Sequence, residues 1–233
     1  MSDPTETAAA DATADATADA TTAAAEPETD SAYWARYYAV TLERPAWQTV
    51  RKAIELFAAE GRPAGSHPGF AVDLGCGGGR DARALLRAGW QVLAMDRESE
   101  AIRVLESAAA TERGLGERLS TATGDFADFE VPACDVVNAS LCLPFVPRDQ
   151  FDGMWRRIVA ALPAGGRFAA MVFGDHDASA GEEGMTCLSP DEFRGLLGGF
   201  EIEFWTETEE DKPTALGEPH HFHLVEFVAR KLA

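Results

Sequence analysis

From position 70 onward the chain alternates between two hydrophobic periodicities. Short apolar runs at Phe70–Leu74, Trp90–Met95, Leu119–Thr123, Asp135–Ala139 and Arg167–Phe173 have the length and composition of buried strands. Between them, Gly79–Ala88, Ser99–Glu112, Arg148–Ala161 and Pro190–Leu197 read as the helices that cover a sheet. This alternation predicts an α/β fold, a doubly wound parallel sheet with helices on both faces. Upstream, "SAYWARYYAV" and "RPAWQTVRKAIELFAAEG" read as two more helices, with Trp47, Val50, Ile54 and Phe57 at helical spacing and Gly61 as the stop. The last segment changes rhythm. "FEIEFWTETEE" alternates polar and apolar residues, "DKPTALGEP" is turn chemistry, and "HHFHLVEFVARK" alternates again. Two strands with no helix between them predict an antiparallel hairpin at the edge of a mostly parallel, seven-stranded sheet.

Composition sets the outer limits. Residues 1–30 hold three consecutive Ala-Asp-Ala-Thr units, eight acids and no basic residue, so nothing there offsets the entropy of ordering; the segment reads as a disordered acidic tail. The remainder, 31–233, divides by pattern into a helical segment (31–62), an alternating strand–helix core (70–175) and a loop, helix and hairpin (176–233). It carries 31 acidic against 20 basic residues and no basic stripe, which argues against a nucleic-acid partner. Four cysteines without Cys-x-x-Cys spacing suit reduced thiols. The N-terminus has no signal-peptide pattern and no run reaches the roughly 18 apolar residues of a membrane span. The expectation is a cytoplasmic monomer or homodimer without membrane partners, acting on a small-molecule substrate.

The chemistry begins at "AVDLGCGGGRDARALLRAGWQVLAMDRE", a strand, a glycine loop, a helix and a second strand that ends on an acid. Three adenosine-containing ligands fit such a unit: a dinucleotide, a nucleotide triphosphate or S-adenosylmethionine. The triphosphate motif G-x-x-x-x-G-K-[ST] is absent. A dinucleotide fingerprint from Gly75 would need glycine or alanine at position 80, where Arg80 stands. Asp96 lies 21 residues after Gly75, a place from which a carboxylate accepts ribose hydroxyls, and that spacing suits NAD equally well. Asp73, in an otherwise apolar strand, is costly without a partner and so points to a network or a site.

Taken in order, "VDLGCGGGRD", "MDRE", "GDFADF", "DVVNASLCLPF" and "IVAALPAGGRFAAMVFG" resemble the successive motifs of class I S-adenosylmethionine-dependent methyltransferases over about residues 33–230. The likeness is greatest to small bacterial methyltransferases of the tellurite-resistance-like kind. The resemblance implies S-adenosylmethionine as cofactor. It implies that Gly75, Gly77 and Gly79 line the methionine and ribose portion, with Cys76 in the same loop, and that Asp73 lies near the amino group. Asp96, followed by Arg97, would hold the ribose; Asp125 and Phe126 would hold the adenine; Asn138 would close the site near the sulfonium, and Arg80 would reach the carboxylate end. "NASLCLPF" departs from the [DNS]-P-P-[FYW] tetrapeptide of many nitrogen methyltransferases, which favours a small-molecule acceptor. Two other readings stay open, a non-catalytic module that binds S-adenosylmethionine and an NAD-dependent oxidoreductase.

On the acceptor side, Phe145, Phe173, Asp175 and His176 follow strand ends where open α/β sheets bind ligands. Tyr37 and Tyr38, with Tyr33 and Trp34, form either an aromatic lid or one apolar face of a docked helix. His176, His221 and His223 are the candidate bases. No metal is expected, since on a strand His221 and His223 face one way and His220 the other, too few ligands for a tetrahedral site.

Overall fold

The computed structural model describes residues 30–62, 69–126 and 128–233. The tail reading, 1–30, lies outside these residues except for Asp30, which opens the first helix. Helices are α1 (Asp30–Thr41), α2 (Gln48–Ala59), α3 (Arg80–Arg87), α4 (Ser99–Thr111), α5 (Arg148–Ala161) and α6 (Pro190–Leu196). Strands are β1 (Phe70–Leu74), β2 (Gln91–Asp96), β3 (Leu119–Thr123), β4 (Val136–Ser140), β5 (Arg167–Phe173), β6 (Phe200–Pro213) and β7 (Pro219–Lys231). They form one seven-stranded sheet in the order β3-β2-β1-β4-β5-β7-β6, parallel except for β7.

The sheet is buried on both faces, which is why its central strands read as near-continuous apolar runs. Val72, Leu74 and Phe168 pack with Phe151 and Ile158 of α5 and Phe193 of α6. Their neighbours Ala71 and Val92 face the other way, onto Phe57 of α2, Leu85 of α3 and Leu105 of α4. Four cysteines are free, three of them buried. No helix among the described residues is long and apolar enough to cross a membrane.

Two strands begin one residue later than the apolar runs suggest, β2 at Gln91 and β4 at Val136. At β4 the reason is Asp135, whose carboxylate accepts from the Phe70 amide and from Arg62 at the strand entrance. The hairpin differs more. Asp211–Pro213 belong to β6 and Pro219 to β7, with Lys212 opposite His220, so the turn shrinks to residues 214–218. The two strands, 14 and 13 residues long against 7 for β5, therefore project past the carboxyl end of the parallel sheet. That overhang becomes a wall of the site.

Candidate active site

The loop from Gly75 to Gly79 connects β1 to α3 at the carboxyl end of the sheet. Gly75 turns at φ +60°, and a Cβ there would stand 2.3 Å from the Cβ of Cys142. Gly79 caps α3 at φ +85°, where a Cβ would meet the Leu105 side chain at 2.2 Å. Both positions accept only glycine without rearrangement. The loop is tied to the next strand by Asp96: Gly77 donates its N–H to Oδ2 at 2.8 Å, and Glu98 donates to Oδ1 at 3.0 Å. Burial pushes the Asp96 carboxyl up, against the pull of those two backbone donors.

One layer deeper lies a buried polar network. Asn138 on β4 sits opposite Asp73 on β1, and its amide donates to Asp73 Oδ1 at 2.7 Å and to Asp81 Oδ2 at 3.2 Å. Asp81 in turn accepts the Trp47 amide at 2.9 Å. Asp73 is sealed from solvent; burial first, then the Asp81 charge, push its carboxyl well above the usual range. An acid whose folded pKa is raised stabilises the fold below its unfolded value, near pH 4, and that stability is lost as pH rises through the folded value. Asp73→Asn keeps an acceptor for Asn138 and removes the titration. Its melting temperature relative to wild type should therefore be higher at pH 8 than at pH 4, as thermal scans at the two pH values will check.

Above the loop opens a cavity of about 750 Å³, within the range of ligand sites. Gly75, Gly77, Asp96, Arg97, Asp125 and Phe126 line one end. Phe145, Phe173, His220, Phe222 and Leu224 line the other, beneath the overhanging hairpin. The α1 residues Tyr33, Trp34, Tyr37 and Tyr38 all face this space, with Trp34 edge-on to Phe145 at 5.4 Å. Tyr38 is nearly buried and its ring would meet a Cβ on Gly77 at 3.1 Å, so α1 both docks and roofs the site. Burial raises the Tyr37 and Tyr38 hydroxyl pKa values.

Several candidate residues lie elsewhere. Asp73, Cys76, Gly79 and Asn138 support the floor without lining the cavity, and Arg80 lies over the Trp47 ring at 4.1 Å. Asp175, His176, His221 and His223 are also outside it. Alternation along β7 is the reason: His220, Phe222 and Leu224 share the Phe173 face, while His221 and His223 turn to the other. Asp175, His176 and His223 bring one ligand atom each within 4.8 Å of one another, but His223 Nδ1 already accepts the His176 amide at 3.1 Å. Sequence reasoning passed over Arg44, Ser140, Leu141 and the hairpin residues Lys212–Ala215, all on the cavity wall. Ser140 and Leu141 fall inside the segment "DVVNASLCLPF" without standing out from it, and no motif marks Arg44 or the hairpin residues. Leu141 alone leaves a trace in the backbone, a left-handed φ of +56° that is unusual for a branched apolar residue and falls at the mouth of the site.

Residues 71–166 match the family model described as a methyltransferase domain. A comparison with curated proteins finds no match. Among solved structures, TehB from Haemophilus influenzae superposes with a TM-score of 0.62 at 20% identity, covering 76% of this chain and 60% of that one. Magnesium protoporphyrin IX methyltransferase (ChlM) from Synechocystis PCC 6803, with bound SAH, gives 0.60 at 17% identity over 88% of this chain and 89% of that one. An O-methyltransferase family 2 protein from Planctomyces limnophilus, in complex with apigenin, gives 0.61 at 18% identity over 89% and 63%. The chain thus spans about 60% of TehB's and of the family 2 protein's length and most of ChlM's. The chain has the fold of these methyltransferases.

Proposed function

We propose that the chain moves a methyl group from S-adenosylmethionine to a small-molecule acceptor. The observation that supports this is the continuity of the cavity, which runs from the glycine loop and Asp96 to an aromatic chamber under the hairpin. A module that only binds the cofactor has no use for the second chamber. The residues fit the donor. Each Asp96 oxygen accepts one backbone N–H and keeps a lone pair for a ribose hydroxyl, on a wall of the cavity. Asp125 and Phe126 take the adenine end. Arg44 and Arg97 bring positive charge for a carboxylate, a part that Arg80, stacked on Trp47, does not play.

The cofactor when bound supplies an activated methyl group, so the protein's work is to bind, orient and exclude water. Orientation alone is worth about 7–11 kcal/mol in well-aligned reactions. Tyr33, Trp34, Tyr37 and Tyr38 from above and Phe145 and Phe173 from the side keep the chamber apolar. ChlM is a magnesium protoporphyrin IX methyltransferase and the Planctomyces protein is in complex with apigenin, which supports a small-molecule acceptor here. Net charge −11 over residues 31–233 supports the same reading against nucleic acid.

Calorimetric titration of the full chain with S-adenosylmethionine, S-adenosylhomocysteine and NADH tests it. Saturable binding of the first two at micromolar concentration and none of NADH is the expected result. Binding of NADH, or of none of the three, overturns the proposal.

A further inference from the structure

Resting on that reading, we propose that His220, held by Asp177, is the general base of the acceptor chamber, and that the acceptor is a flat aromatic alcohol methylated on its hydroxyl oxygen. His220 Nε2 lies 2.9 Å from Asp177 Oδ1, and the Asp177 side chain is fully buried. The same carboxylate accepts the Ser179 amide at 3.0 Å and the His223 amide at 3.1 Å. A carboxylate is acceptor only, so Nε2 carries the hydrogen and Nδ1 keeps its lone pair. Nδ1 has no partner among the described residues, and the ring lies on the cavity wall with its side chain 18% exposed. Buried acid, oriented imidazole and open lone pair are the arrangement of an activated base.

The surroundings choose the acceptor. Phe222 lies 4.4 Å and Phe173 6.2 Å from the imidazole, centre to centre, and Phe145 continues the wall 6.5 Å beyond Phe173. Such rings take a flat aromatic molecule by stacking and edge contacts. A phenolic hydroxyl ionises near pH 10, so at neutral pH it needs a base. The O–H proton passes to Nδ1, giving an imidazolium next to Asp177. The freed oxygen pair forms the bond to the methyl carbon, and the carbon–sulfur pair remains on sulfur as the sulfonium charge is lost. The imidazolium then returns its proton to water.

Two phenols of like shape test this in the full chain. With 4-methylphenol, His220→Gln should lower kcat by about 10²- to 10⁴-fold and leave KM near its wild-type value. With 4-nitrophenol, which ionises close to neutral pH and needs no base, the loss should be less than tenfold. Calorimetric affinity for S-adenosylhomocysteine should be unchanged. Asp177→Asn should follow the same pattern, and imidazole added to His220→Ala should restore turnover of 4-methylphenol, a rescue no structural role predicts. Equal losses with both phenols, a loss confined to KM, or no methylation of either phenol by wild-type protein that binds S-adenosylhomocysteine overturns the inference while the donor reading stands. Absence of S-adenosylhomocysteine binding in the wild type overturns both.

Discussion

Asp96→Ala should weaken binding of S-adenosylhomocysteine by at least 100-fold. Two hydrogen bonds from ribose hydroxyls to a carboxylate are worth about 1.5–3 kcal/mol each, and each 1.4 kcal/mol is a factor of ten. The alanine loses both and also releases the Gly77 and Glu98 amides, whose donors then relax away from the bound geometry. Asp96→Asn separates the two effects. It keeps one acceptor oxygen and the side-chain volume, so its loss should be nearer tenfold. Calorimetric titration of each variant, with circular dichroism to show that the fold persists, is the check. An Asp96→Ala protein that binds as tightly as wild type would remove the ribose role from this residue.

The second large effect belongs to the loop. Gly75→Ala puts a Cβ 2.3 Å from that of Cys142, at a backbone φ of +60°. The conformation costs an alanine about 1–2 kcal/mol and the overlap about 1–3 kcal/mol more. Cys142 cannot yield easily, because it is buried and follows the strained Leu141 directly. For a domain of this size, the sum corresponds to a fall in melting temperature of about 10 °C. The Phe126 ring, whose Cζ would lie 3.2 Å from the new Cβ, must also move, so affinity for the donor falls as well. Thermal scans and a titration measure the two consequences separately. An unchanged melting temperature would mean that the contact between the loop and the segment following β4 is looser than the structure shows.

The donor end of the cavity was legible as a row of motifs, because a glycine where the chain turns sharply, an acid at a strand end and a polar residue inside an apolar strand are each costly and therefore conspicuous. Asp73 is the instructive exception. Its oddness was visible, but the oddness belongs to a buried network with Asn138 and Asp81 and not to the cavity wall. Arg80 is a second: next to the glycine loop in sequence, it turns onto Trp47 because a helix begins at that residue and carries the side chain back toward α2.

By itself the sequence determined the strand–helix alternation, the bounds of β1, β3, β5 and α5, and the glycine loop with Asp96 at the next strand's end. Those features are local: a strand buried on both faces must be apolar throughout, and a turn without room for a Cβ must be glycine. Tertiary structure alone decided that β7 enters between β5 and β6, because pairing across some fifty residues leaves no local mark. It also decided which histidine of "HHFH" faces the site. Either parity presents an imidazole, and a slip of one residue exchanges the faces, so local pattern is silent. The register of β7 on β5, with Leu224 opposite Phe173, settles it for His220.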